Sequence, residues 1–369
     1  MSVSIIRVLQ NYGIGHAASK PNSQEIEALG SAGGFSGAEF WKITAGATQY
    51  CLRRWPNSKP TRSQADVIYP TLEHVRRHAD LPLAFPIQTV HGEPLCRVDN
   101  ARWELSRWMS GEPIAETEIN DNQLRAAARA LAEFHNTTSS LSQQQRASPA
   151  IDFRSTMIDR LWATQFEQLQ GTQDAAGVVD SGVKKMLLDQ FRYQAHALRQ
   201  QLELLRCVPV LQIPIIGDIW SDHVLFNNDE VSGIVDFGAM KLESPCLDIA
   251  RLFGSYADYS SEALRRGIIY YGEFRELNDL DRSLIELYDR GNVILAGIQW
   301  LIWIELEQRI FLDNESVRQR LHRLVQRCEP AIYQGNNGQF FQAIAWFIIV
   351  LLEWMFHCSA VNIATFVSK

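Results

Sequence analysis

The sequence is poor in the features that would make it a metal ribbon, a secreted scaffold, a nucleic-acid binder or a membrane span. Its six cysteines (Cys51, Cys96, Cys207, Cys246, Cys328, Cys358) are scattered, with no C-x-x-C spacing. That excludes a zinc-ribbon or disulfide framework and leaves reduced thiols. Basic residues never cluster beyond pairs such as Arg53-Arg54, and the formal charge is −7. Without a basic patch there is no electrostatic case for nucleic acid, and the acidic balance mildly suits a cationic ligand. The greasiest run, Ala343 to Leu352, is 10 residues long, short of the roughly 18–20 needed to span a bilayer. Extending it to Val367 would bury Glu353, His357 and Asn362 in lipid, each at a cost. Membrane contact through this tail is therefore the lesser reading, behind a helix docked on the larger lobe or on a partner. Met1 to Gln10 carries one Arg and too short an apolar run for a signal peptide, so the expected location is the cytoplasm.

What remains is 369 residues at 46% hydrophobic, enough for one large or two ordinary domains with cores of their own. The chain is organised around Ile216-Gly217-Asp218-Ile219-Trp220-Ser221-Asp222-His223-Val224-Leu225-Phe226 and the following Gly233-Ile234-Val235-Asp236-Phe237-Gly238. Two short apolar strand pieces flank the polar turn Asn227-Asn228-Asp229-Glu230, which reads as a hairpin. Asp218 and Asp236 stand 18 positions apart at its open ends, so folding back would carry both acids to one edge. Phosphoryl transfer uses such a pair, one carboxylate to deprotonate the acceptor hydroxyl and one to hold the cation that neutralises phosphate charge.

This block resembles the catalytic and metal-loop signature, H-G-D-x-x-x-x-N followed by D-F-G, of the aminoglycoside phosphotransferase and choline kinase-like family. The resemblance implies that Asp218 is the catalytic base, Asp236 the metal-binding acid, and Asp248 an acid that braces the catalytic loop. The chain departs from the signature twice, with Ile216 in place of the His and His223 in place of the Asn. His223 would then join Asp236 at the metal, with Asp222 as an alternative oxygen donor and Mn²⁺ as an alternative to Mg²⁺, since a nitrogen ligand suits a hard cation less well.

Upstream, Leu29-Gly30-Ser31-Ala32-Gly33-Gly34-Phe35-Ser36-Gly37 flows into an alternating strand. By itself such a turn is as readily a hairpin loop. Glycines also allow backbone N–H groups to approach phosphate, and the resemblance makes Gly34 and Ser36 phosphate contacts. The strand Gln49 to Pro56 carries Arg53 at the family's basic position, where it would pair with nucleotide phosphates. A helix follows at 63–79 with Val67, Ile68, Leu72 and Val75 as its apolar stripe. The family often places there a Glu that pairs with the strand's basic residue, but Glu73, the only glutamate in the segment, falls in the wrong register. Strands are expected at Phe85 to Thr89 and Arg102 to Met109, the second resembling the hinge whose backbone at Arg107 to Met109 meets adenine. Asn120 or Asp121 caps the next helix, and His135 near its end reads as a packing residue. Trp300, Trp303 and Glu305 read as core or, less simply, as a cation-suited acceptor pocket.

The expectation is therefore an α+β, two-lobed protein-kinase-like fold with a small antiparallel β lobe (1–111), a larger mainly helical lobe (112–330) and an apolar extension (331–369). The resemblance implies an ATP-dependent phosphotransferase acting on a hydroxyl of a small molecule, with Asp218 as base, Asp236 and His223 at Mg²⁺, and Gly34, Ser36, Arg53 and Met109 at the nucleotide. The alternative is a catalytically degenerate fold of the same kind that binds nucleotide or acts as a scaffold.

Overall fold

A computed structural model describes residues 2–14, 24–30, 37–56, 59–115, 118–172, 177–257, 261–311 and 314–327. Gly34, Ser36 and the extension 331–369 with its apolar run lie outside the described residues. The first half of the chain runs α1 (Ser2–Asn11), β1 (Gln24–Gly30), β2 (Glu39–Ala45), β3 (Thr48–Arg54), α2 (Arg62–His78), β4 (Leu95–Val98), β5 (Ala101–Arg107), β6 (Glu112–Pro113), α3 (Asp121–Leu141), β7 (Gln144–Ala147), α4 (Pro149–Arg160), α5 (Phe166–Gly171) and α6 (Ser181–Leu205). The second half runs β8 (Pro209–Ile215), β9 (Val224–Asn227), β10 (Glu230–Ile234), β11 (Lys241–Glu243), α7 (Pro245–Tyr256), α8 (Glu262–Gly272), α9 (Asp279–Leu301) and α10 (Asn314–Arg327). Antiparallel sheets with a larger share of helix make this the expected α+β class.

Contacts divide the chain into two units, one of Met1–Ser148, Val208–Tyr256 and Ala263–Arg275, the other of Pro149–Cys207, Ala257–Glu262 and Glu276–Lys369. The segment after residue 111 stays with the sheet unit because its strands find partners there: β6 pairs with β9 and β7 with β8.

In the first unit a five-stranded antiparallel sheet has the order β1-β2-β3-β5-β4. One face buries Trp41, Ile43, Leu52, Trp103 and Leu105. α1 with Ile5, Val8 and Leu9, and Tyr12 just after it, covers that face, each fully buried large apolar side chain contributing about 1.5–3 kcal/mol. The i, i+3, i+4 spacing of Ile5, Val8 and Leu9 is the signature of this helix. α2 occupies the expected position, its start locked by a reciprocal Thr61–Gln64 box and its buried stripe formed by Ile68, Thr71, Leu72 and Val75. α3 begins with the same device at Asn120 and Gln123, each such cap contributing about 1 kcal/mol.

The strand expected at Phe85 to Thr89 is a correction. Pro86 makes only an isolated bridge to Ser106, and the edge position beside β5 is taken by β4. Proline has no N–H to offer a ladder, so Leu95–Val98, which contains none, supplies the paired strand.

Two small antiparallel sheets, β10-β9-β6 and β11-β8-β7, carry the segment that contains the acids. The β9–β10 hairpin pairs Asn227 with Glu230 and turns through Asn228 at φ 56°, in a region Asn tolerates.

In the second unit α6 packs on α9 and α4, and α10 packs on both α6 and α9. Arg327 donates twice from Nη2 to buried Asp289, at 2.9 and 2.8 Å. Glu305 sits on a π-helical turn after α9 and accepts from Lys184 Nζ at 2.7 Å. Arg309 lies over the Trp303 ring and Arg320 over Trp300. With the Oε2 of its carboxylate paired and both rings already facing guanidinium groups, this cluster reads as core rather than as a cation pocket. Among the described residues no helix is long and apolar enough to cross a membrane.

Candidate active site

The loop after β8 is held by backbone requirements before any side chain enters. Gly217 has φ +87°, and a Cβ there would stand 2.3 Å from the Ala239 carbonyl oxygen. Only glycine permits both. The Ile216 and Gly217 N–H groups donate to Asp248 Oδ2 and Oδ1, each at 2.8 Å. Asp248 is thus the brace that the resemblance implied, at 0% exposure. Ile216 contributes its N–H to this brace and buries its side chain.

Asp248 Oδ2 also receives His135 Nε2 at 3.3 Å. The other ring nitrogen then accepts from the Tyr271 hydroxyl at 2.8 Å. Burial is the main cause that lowers the His135 pKa, with the Asp248 bond opposing it, so the neutral ring is the form this network holds.

The expected base Asp218 is half exposed, and Arg251 Nε donates to its Oδ1 at 3.0 Å. Its Oδ2 has no partner among the described residues. Three residues on, the Ser221 N–H donates to Ser255 Oγ at 2.8 Å.

His223 does not fit the metal role given to it. Trp220 Nε1, which can only donate, lies 2.8 Å from His223 Nε2, so that nitrogen must accept. Nδ1 lies 2.9 Å from the Asp218 carbonyl oxygen, which can only accept, so Nδ1 carries the proton. Both nitrogens are therefore committed to the loop, and no lone pair remains for a cation. The Val235 N–H donates to the His223 carbonyl at 3.0 Å, tying the Asp218 loop to the start of the Asp236 loop.

Asp236 has φ 60°, a left-handed conformation that Asp tolerates better than most residues. Its Oδ1 accepts from Arg53 Nη1 at 3.1 Å and from the Gly238 N–H at 3.2 Å. Burial opposes ionisation of this carboxyl, but the Arg53 charge and these bonds hold it below the ordinary range. Arg53 is itself buried, its guanidinium 3.8 Å from the Trp55 ring centroid and 5.5 Å from that of Phe40. Gly238 makes room for it, since a Cβ there would lie 2.7 Å from Arg53 Nη2.

Behind Arg53 its cross-strand partner is Glu104, and Tyr69 of α2 donates to Glu104 Oε2 at 2.6 Å. Burial raises the Glu104 pKa, and the Arg53 charge opposes that rise. Glu73 turns instead to Arg76 and Arg77 of its own helix. The carboxylate beside Arg53 thus comes from β5 rather than from α2.

Met109 follows the end of β5 and would meet a Cβ on Gly233 at 2.8 Å, so its side chain packs on the β9–β10 hairpin. The preceding Trp108 N–H is taken by the Gln49 carbonyl at 3.0 Å, while the Met109 backbone groups have no hydrogen-bond partner among the described residues.

Arg53, Met109, Asp218, His223 and Asp236 all belong to the first unit. Sequence reasoning missed Arg251, Trp220, Glu104 and Tyr69. Arg251 could have been found from its spacing after Asp248, three positions along one helix face. Glu104, between Trp103 and Leu105 in an apolar strand, was a charge that demanded a partner.

Among the described residues no group of three or more His, Cys, Asp or Glu could hold a metal ion. That set is not required for Mg²⁺, which commonly takes one or two carboxylates and completes its shell with phosphate and water oxygens. Asp236 Oδ2, which has no partner among the described residues, fits that chemistry.

A family model described as the phosphotransferase enzyme family matches residues 27–283. No curated protein matches the sequence. Among solved structures, similar folds include amicoumacin kinase hAmiN in complex with AMP-PNP, Ca²⁺ and Ami, at TM-score 0.59 and 13% identity over 93% of this chain and 96% of that one. Spectinomycin phosphotransferase APH(9)-Ia with ADP and spectinomycin gives 0.58 and 15% over 93% and 98%. A microcompartment-associated aminopropanol kinase gives 0.59 and 14% over 88% and 95%. These likenesses agree with the protein-kinase-like fold expected from the sequence.

Proposed function

The chain belongs to the phosphotransferase enzyme family, and from that premise we propose that it moves the γ-phosphoryl group of ATP to a hydroxyl of a small molecule. The observation that carries this reading is the contact of Arg53 Nη1 with Asp236 Oδ1 at 3.1 Å across 183 residues of sequence. It joins the expected phosphate-binding strand to the expected metal acid, in the unit that also holds the Asp218 loop.

In the proposed reaction Asp218 Oδ2 accepts the acceptor's hydroxyl proton as that oxygen bonds to the γ-phosphorus. The bond from the γ-phosphorus to the β–γ bridging oxygen breaks, and ADP leaves with that electron pair. Arg53 holds phosphate charge, the free Met109 backbone groups meet the adenine edge, and Gly34 and Ser36 remain proposed phosphate contacts. Mg²⁺, or Mn²⁺ in its place, would neutralise charge on the β- and γ-phosphates when bound through Asp236 Oδ2. His223 is left to orient the loop.

A second reading, nucleotide binding without turnover, draws on one observation: the committed nitrogens of His223 remove a metal ligand that the family signature supplies. Calorimetry of ATP binding with Mg²⁺, with Mn²⁺ and with EDTA, on wild type and Asp236→Asn, tests the site. Binding that needs both metal and Asp236 supports it, and binding indifferent to both sinks it. ATP turnover in the presence of hydroxyl acceptors, abolished in Asp218→Asn, then separates the kinase from the silent binder.

A further inference from the structure

We infer that Arg251 recognises the acceptor, and that the acceptor carries an anionic oxygen group a few bonds from the hydroxyl that Asp218 deprotonates. This rests on the phosphotransfer reading of the site and adds the chemical class of its second substrate.

The argument begins with α7, which is buried from Pro245 to Tyr256 except at Arg251 and Ser255. Asp248, Arg251 and Ser255 stand at i, i+3 and i+7, one face of the helix. That face meets the loop in order: Asp248 takes the Ile216 and Gly217 N–H groups, Arg251 takes the Asp218 carboxylate, and Ser255 takes the Ser221 N–H. Of the three, only Arg251 has donors to spare. It uses Nε alone, its Nη1 and Nη2 have no hydrogen-bond partner among the described residues, and its side chain is 31% exposed.

A guanidinium with one edge on the base and two amino groups open beside it is a preformed fork for a planar or tetrahedral oxyanion. A lysine would neutralise Asp218 as well, without offering that fork. Trp220, whose ring centroid lies 6.0 Å from Arg251 Cζ, supplies an aromatic wall. Because Arg251 Nε sits 3.0 Å from Asp218 Oδ1, an acceptor that bonds Asp218 Oδ2 and the fork at once carries its hydroxyl and its anionic group within a few bonds of each other.

This reverses the inference from net charge. A total of −7 spread over 369 residues acts through solvent that screens exposed charges beyond about 8–10 Å, whereas Arg251 is in contact with the base. With the Asp218 charge compensated, an ammonium group on the acceptor would meet a guanidinium instead of a free carboxylate. Nor is Arg251 needed for the nucleotide, because the cation at Asp236 is Arg53.

The test uses the full chain saturated with Mg²⁺ and AMP-PNP, titrated by calorimetry with glycerate, inorganic phosphate, glycerol and 3-amino-1,2-propanediol. Glycerate and phosphate are expected to bind and the amine not to. Arg251→Gln should weaken oxyanion binding by roughly ten- to a hundredfold, and Arg251→Lys should lie between because it keeps charge but loses the fork. Amine binding equal to or tighter than glycerate, oxyanion affinity unchanged in Arg251→Gln, or no oxyanion binding by wild type overturns the inference. So does an equal loss of Mg-AMP-PNP affinity in Arg251→Gln, which would assign the fork to the nucleotide. Failure of wild type to bind Mg-AMP-PNP at all instead counts against the phosphotransfer reading on which this one rests.

Discussion

Removing the Asp248 carboxylate should release the loop that carries Asp218, and the cost can be worked from its partners. Asp248→Ala strands three donors: the buried Ile216 N–H, the part-buried Gly217 N–H and the buried His135 Nε2–H. Each orphaned buried donor costs about 1–3 kcal/mol. Gly217 is partly open to water, and the variant no longer buries a carboxylate, which offsets some of the loss. The expected destabilisation is therefore about 3–6 kcal/mol in the sheet unit, with Asp248→Asn at about half because one oxygen still accepts. Urea unfolding followed by intrinsic fluorescence measures it, and Mg-AMP-PNP titration of the folded variant shows whether the loop still serves the site. A cost of Asp248→Ala below about 1 kcal/mol would refute the reasoning, since three unsatisfied donors cannot be that inexpensive in a closed interior.

The other expectations concern the neighbours of this brace. Burial lowers the His135 pKa below its ordinary value, so the unfolded chain takes up the proton first as pH falls. Its stability contribution is full above about pH 6.5 and is lost progressively below it, a slope in urea midpoint that His135→Gln should lack. Gly238→Ala would set a Cβ 2.7 Å from Arg53 Nη2 and push the guanidinium off Asp236, weakening Mg-AMP-PNP affinity by about tenfold or more in calorimetry. His223→Ala removes both ring nitrogens and puts no ligand in their place, so metal dependence of nucleotide binding should survive it while Asp236→Asn abolishes it. Loss of metal dependence in His223→Ala, with metal-free ATP affinity kept, would restore the ligand role that the hydrogen bonds deny. Trp220→Phe leaves His223 Nε2 without its donor and should lower turnover more than nucleotide affinity.

Much of the architecture was legible along the chain. The period-2 and period-3.6 patterns placed β3, β5 and α2, the Asn120 cap started α3, and the turn 227–230 announced the β9–β10 hairpin, because these depend on interactions within a few residues. The acids Asp218 and Asp236 were legible as a pair through their spacing, and Asp248 through the family resemblance. Less legible was α1, whose helical stripe is short and whose burial depends on a sheet formed later in the chain. β8 is likewise hard to read locally, since its Pro209 and Pro214 weaken a strand signal and pairing with β7 and β11 on either side sustains it.

His223 shows where local reading stops. Its position in the signature pointed to a metal, yet a ring nitrogen's role is set by what lies opposite it, and Trp220 and the Asp218 carbonyl are brought there by the curvature of the loop. Arg53 was readable as a phosphate-side cation, but that its charge is shared with Asp236 and backed by Glu104 follows only from β3 lying beside β5 and opposite the Asp236 loop. By itself the sequence determined the elements, the acids and their order, since propensity, capping and spacing are local. The tertiary structure decided the His223 tautomer through the curvature of its own loop, and it decided pairing and spare valence at Asp218, Asp236 and Asp248 through groups that are 30 to nearly 200 positions apart in sequence and meet only when the chain is folded.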